Sequence, residues 1–222
     1  MTQVILLFFG NRLSINRPAL FSLLFLFSCT FNLSHGQDSS WISVHFIYGS
    51  KPRKSCQNEH KWFGGIHGGH VGIEYDTGQI IDFVPEGKFH YVGNRNACHS
   101  AYTLRSMSSF WKTFSESDSS TIKAMSIRIQ ISAEQRHALD SLVDTYSSNV
   151  PYDYAFLGMR CAAASYDILD EIGVMPSRSH VGTWFHNFYP KRLRIRLTKK
   201  AKMMGWEIWR KEGTDCRIWE KD

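Results

Sequence analysis

Between Trp41 and Ile131 the apolar residues recur at β-like spacings; beyond Ser132 helical spacing takes over. Trp41-Ile42-Ser43-Val44-His45-Phe46-Ile47-Tyr48 alternates in part and is rich in β-formers, which predicts a first strand. Gly69 to Tyr75 and Gln79 to Val84 predict a second and a third, with Pro85 ending the latter. Asp76-Thr77-Gly78 between them is a turn signal, so the two form a hairpin. The polar, basic, glycine-bounded stretch from Gly49 to Gly65 reads as a loop, and Ser115 to Ser120 as a polar surface loop. His90 to Leu104 holds shorter strand or loop structure. Ala124 to Ile131 alternates cleanly and predicts a half-buried strand.

Ser132 and Gln135 then form a capping-box pattern. The helix they open carries Leu139, Leu142, Val143 and Tyr146 on one face and ends at Asn149-Val150-Pro151. A second helix starts at Cys161 and runs to about Ile172, where Gly173 and then Pro176 stop it. Trp206-Glu207-Ile208-Trp209 suits an edge strand. The pattern is that of an α+β fold, an antiparallel sheet packed against a Cys-bearing helix.

Composition supports a packed core: of 222 residues, 43% are hydrophobic and only 21% charged. The length suits one decorated domain. The beginning of the chain reads differently. Arg12 and Arg17 precede an apolar run from Ala19 to Phe31, too short to span a membrane, and Ser34-His35-Gly36 follows. That is the layout of a secretory signal over residues 1–36, with cleavage before Gln37. Leu26-Phe27-Ser28-Cys29 also resembles a lipobox, which would anchor the chain at Cys29. Either reading exports the protein to a periplasmic or secreted location. The domain plan is then a signal, a main domain over 37–190 and a basic C-terminal extension over 191–222.

Export makes disulfides permissible. Cys56 and Cys98, in polar loop-like stretches, could pair and leave Cys161 free and Cys216 odd, although four cysteines allow three pairings. One of these joins Cys161 to Cys216. The formal charge of +6 is concentrated between Lys191 and Lys202. It reads as a solvated basic face or as attraction to an anionic cell-envelope surface. No nucleic-acid motif is visible.

The candidate chemistry is a thiol and an imidazole. Cys161 at a helix start feels the positive end of the helix dipole, which favours thiolate. His70, in the second strand, would complete an activated nucleophile if the two meet. Asp82, twelve residues later on the adjacent strand, is the candidate to orient the imidazole, provided register and facing agree. Glu74 is the weaker candidate, about 13 Å along the same strand from His70. Tyr152, Tyr154 and Arg160 are candidates for the substrate and oxyanion pocket, together with the Cys161 N–H. His60, His67, His70 and His90 fit no compact ligand spacing, so neither a metal nor another cofactor is expected.

The order of these pieces carries a resemblance. Ile131-Ser132-Ala133-Glu134-Gln135, then Pro151-Tyr152-Asp153-Tyr154 and Cys161, with His70-Val71-Gly72-Ile73 upstream, resembles the circularly permuted branch of the NlpC-type papain-like cysteine peptidases and amidases. The match covers roughly Trp41 to Pro176. It implies a permuted papain-like fold and an exported cysteine hydrolase that cleaves an amide, first of all in cell-wall (peptidoglycan) peptide, through a thioester. Relatives such as the lecithin retinol acyltransferase-like proteins imply lipid esterase or acyltransferase chemistry as the alternative. A non-catalytic binding module on the same scaffold is the third reading. The chain departs from the family in following Cys161 with Ala162-Ala163-Ala164, where relatives often carry Ser or Thr.

Overall fold

The computed structural model describes residues 40–56, 59–62, 64–94, 99–114 and 119–222. The signal segment over 1–36, the lipobox Cys29 and Cys98 lie outside the described residues. Everything described belongs to one compact unit.

The centre is a six-stranded antiparallel sheet. Its strands are β1 (Ser40–Tyr48), β3 (Gly69–Asp76), β4 (Gln79–Pro85), β6 (Ser100–Ser106), β7 (Ala124–Ile131) and β9 (Glu207–Lys211), in the order β6-β4-β3-β1-β7-β9. Short strands β2 (Ser50–Pro52) and β10 (Arg217–Trp219) pair with each other, as do β5 (His90–Val92) and β8 (Ala155–Leu157). The helices are α1 (Met107–Trp111), α2 (Ala133–Ser148), α3 (Cys161–Glu171), α4 (His180–His186) and α5 (Pro190–Met204). Among the described residues no helix is long and apolar enough to cross a membrane.

The alternation in β7 shows why the sheet is layered. Ile127, Ile129 and Ile131 are buried while Arg128 and Gln130 are exposed. The buried set joins Val44, Phe46, Val71, Ile73 and Phe83 in the main core, against α2, α3 and α5. The opposite face carries a smaller core of Ile47, Ile80, Phe110 and Ile122, with Trp62, Trp111 and Phe114 packed on it. The predicted capping box is present: the Gln135 N–H donates to Ser132 Oγ, and the Ser132 N–H to Gln135 Oε1. Gly173, at φ 71°, follows the end of α3 in the left-handed conformation that suits glycine.

Three expectations need correction. Residues 191–222 are no appendage. Pro190 opens α5 at its first turn, Leu193, Leu197 and Ala201 bury one stripe, and β9 forms the edge of the main sheet. The helical spacing is masked in the sequence by the surrounding lysines and arginines. One arginine is itself buried: Arg194 lies 3.7 Å over the Tyr48 ring and bonds Glu220 at 2.9 Å and Asp222 at 3.1 Å. Second, Cys56 pairs with Cys216, not Cys98, and Cys161 is free. Third, the stretch from Gly49 to Gly65 is not simply loop, because β2 lies within it and a 3-10 turn starts at Gly65. Arg217 fastens that stretch, bonding Ser50 and Glu59 and the His60 carbonyl and stacking 4.0 Å over the Trp62 ring.

Candidate active site

His70 and Asp82 meet because of a β-bulge. The β3–β4 turn pairs Asp76 with Gln79, but the register shifts between Glu74 and Asp76, so that Gly72 faces Asp82. Without the shift Asp82 would sit opposite Ile73 and point into the other layer. The bulge frees the Tyr75 carbonyl, and the Arg136 guanidinium of α2 donates to it. Asp82 then shares a sheet face with His70 and lies diagonally across the ladder from it, with only Gly72 between them. A Cβ on Gly72 would come within 2.6 Å of Ile80, 2.8 Å of Phe110 and 3.3 Å of the Asp82 Cβ.

His70 Nε2–H donates to Asp82 Oδ2 at 2.6 Å, and both groups are buried. Thr103, opposite Asp82 on β6, and Arg105 (Nε at 3.2 Å) hold the other carboxylate oxygen. Burial raises the Asp82 pKa, but His70, Thr103 and Arg105 outweigh it and hold the carboxyl below its ordinary value. Phe110 lies against the imidazole, 5.6 Å between ring centroids.

The thiol arrives from the other layer. Pairing between β3 and β4 stops at Gly72 and Asp82, so the strands part at Val71 and Phe83. The head of α3 packs on both strands there. The Val71 N–H and the His70 side chain lie close to the Cys161 sulfur and favour its charged form. Since Nε2 is committed to Asp82, Nδ1 is the nitrogen left for sulfur. Burial raises the thiol pKa, yet His70, Arg160 and the Val71 N–H lower it further than burial raises it. For His70, burial pulls down while Asp82 and Cys161 pull up, and the balance lifts it to about 9. Both shifts therefore run toward the thiolate–imidazolium pair.

The pocket candidates divide. The Tyr154 hydroxyl lies close to the Cys161 N–H and the Arg160 side chain. Burial, then the neighbouring sulfur, raise its pKa well above the ordinary phenol. Arg160 caps α3 and lies buried over the rings of Phe188 (4.7 Å), Tyr189 (5.6 Å) and Phe156 (5.8 Å). Its NH1 nitrogen has no hydrogen-bond partner. Tyr152 is not beside the thiol: its hydroxyl bonds Tyr102 and, at 3.3 Å, Asp167, about two turns down α3. Glu74 bonds His45 at 3.2 Å and the Gly78 N–H rather than His70.

The pair is covered. Cys161 is 4% and His70 5% exposed. Trp62 stacks on Phe114, which meets His70 edge-on, and His67 lies 5.5 Å from the Tyr189 ring. A cavity of about 600 Å³ opens beside the loop that feeds α3, lined by Asn94, Tyr152, Asp153, Gly158, Met159 and Trp184 among others, and stops short of Cys161. Gly72, Thr103, Arg105, Phe110 and the bulge at Tyr75 are parts of the site that the sequence reading did not single out. Only Gly72, in an otherwise apolar strand, left a signal, since such glycines often mark close approach. No family model matches the chain, and neither a curated protein nor a solved structure does.

Proposed function

We propose that the protein is a cysteine hydrolase that cleaves an amide through a thioester on Cys161. The observation that carries this reading is the buried relay from the Cys161 sulfur to His70 to Asp82, biased toward the ion pair. The thiolate attacks the carbonyl carbon, and the carbonyl π pair moves to oxygen. That oxygen is received where the Cys161 N–H and the Tyr154 hydroxyl converge. On collapse the C–N bond breaks and the His70 imidazolium protonates the departing amine. Water then adds to the thioester, giving its proton to His70, and the acid leaves with the thiolate restored. Asp82 keeps the imidazole oriented throughout and favours its charged form whenever it holds the second proton.

The protein is read as exported and its first substrate class as cell-wall peptide, with the fold a permuted papain-like one in which the His strand precedes the Cys helix. The order β3, β4, then α3 in one compact unit supports this. The test is to incubate muropeptides with the protein and follow new amino groups and acid-quenched intact mass. Release of amine, with a transient acyl adduct on Cys161 and none in Cys161→Ala or His70→Ala, is the expected result. Intact muropeptides and no adduct would remove this substrate class.

One observation favours lipid ester cleavage as the second reading. Tyr91 (77% exposed), Phe156 and Phe188 form a chain of rings at 5.7 and 5.4 Å that reaches Arg160 beside the thiol. Fatty-acid release from phospholipid vesicles, dependent on Cys161, would decide for it.

A further inference from the structure

A second group of titratable side chains lies outside the Cys161 relay. His90 is on β5, His99 just precedes β6, and Asp153 lies in the loop ahead of β8. One ligand atom from each falls within 4.8 Å of the others. Asp153 is buried and the two imidazoles are half-buried. The Asp153 carboxylate accepts from His90 Nδ1–H, from the Asn94 N–H at 2.9 Å and from the His99 N–H at 2.8 Å. Burial pushes its pKa up, but these donors outweigh it and keep the group ionised.

That carboxylate decides what His90 offers. With the Nδ1 proton held by Asp153, a neutral His90 presents a bare lone pair at Nε2. Nε2 faces His99 Nδ1 at 3.2 Å, with the ring planes at 84°. Two nitrogens bound to one tetrahedral zinc at about 2.0–2.1 Å stand roughly 3.3 Å apart. A carboxylate behind a histidine, fixing its tautomer and raising its basicity, is the usual support of a metal-ligating imidazole. Nitrogen and carboxylate donors of this kind suit zinc and its first-row neighbours rather than calcium or magnesium.

We infer that His90 and His99, backed by Asp153, form a binding site for a divalent transition ion of the zinc type. The ion joins the two nitrogens, and water completes its coordination. It ties His90 on β5 to His99 ahead of β6, beside Asp153, whose chain neighbour Tyr154 lies close to the Cys161 N–H. Sequence spacing hides the site, because Asp153 lies 54 residues after His99.

The test uses the full-length protein carrying Cys161→Ser, so that the thiolate–imidazole pair does not compete for metal. After chelator treatment and dialysis, zinc is titrated calorimetrically into this parent and into the same protein with His90→Gln or His99→Gln. One equivalent bound by the parent, weakened at least tenfold by either substitution, is the expected result. Cobalt(II) supplies a readout independent of variant folding: the parent shows the intense visible band of a low-coordinate nitrogen site. Absence of zinc uptake by the parent, or uptake that survives both histidine substitutions, overturns the assignment. So does a cobalt spectrum no different from that of the aqueous ion.

Discussion

Replacing Asp82 by Asn removes the charge behind His70 and leaves the shape. The lift of His70 from its ordinary 6.5 to about 9 corresponds to roughly 3 kcal/mol of preference for imidazolium. A hydrogen bond to a charged group contributes about 1.5–3 kcal/mol, so Asp82 supplies half of that preference or more. Since about 1.4 kcal/mol is a factor of ten, the ratio of ion pair to neutral pair should fall by about 10- to 100-fold in Asp82→Asn. Cys161 and His70 titrate together, so the apparent values belong to the pair. The assay is iodoacetamide alkylation of Cys161, followed by peptide mass mapping from about pH 5 to about pH 10. Wild type should label fast across a neutral plateau, well below the range of a free thiol. In Asp82→Asn the plateau should drop and the main rise should move toward the ordinary thiol range. A folded Asp82→Asn protein with an unchanged profile would refute the charge argument. Wild type with an ordinary thiol profile would refute the activated thiolate itself.

Other outcomes follow from the same geometry. Because the folded state raises His70, its imidazolium is present below about pH 9 and lost above it, so turnover that needs this proton should decline there; a pH profile of kcat/KM reads this limb. Gly72→Ala should destabilise by about 1–3 kcal/mol, because the new methyl meets Ile80 and Phe110 in a filled layer; urea unfolding measures the cost. Reducing Cys56–Cys216 releases a cross-link spanning 160 residues, which the chain-entropy model puts at about 5 kcal/mol. Thermal melts with and without a phosphine reductant should show a large downward step.

Much of the sheet was legible because local signals agreed with global burial. The strand Ala124–Ile131 and the Ser132 capping box appear where alternation and spacing placed them. The meeting of His70 with Asp82 was half legible. The hairpin was evident from Asp76-Thr77-Gly78, but which face Asp82 takes depends on one bulged residue held by Arg136, sixty-one residues away. No local pattern encodes that contact. Tyr152 was misplaced for a related reason: it neighbours Tyr154 in the chain, yet tertiary packing sends its hydroxyl to Asp167. The helix Pro190–Met204 was obscured because lysine and arginine are good helix formers that also mimic a solvated tail. The partner of Cys56 was illegible, since pairing depends on β10 returning to β2.

That return has a consequence in time. A ribosome delivers the chain from its N-terminus, and Cys216 and Arg217 follow far downstream of His70, Asp82 and Cys161. Cys161, His70 and Asp82 are all made well before Cys216 and Arg217, which anchor the stretch that carries Trp62. The cover over His70 can therefore be fastened only after Cys216 and Arg217 have been made. Nascent or clipped molecules that lack Cys216 and Arg217 would lose the anchor of the Trp62 stretch and present the imidazole layer less covered.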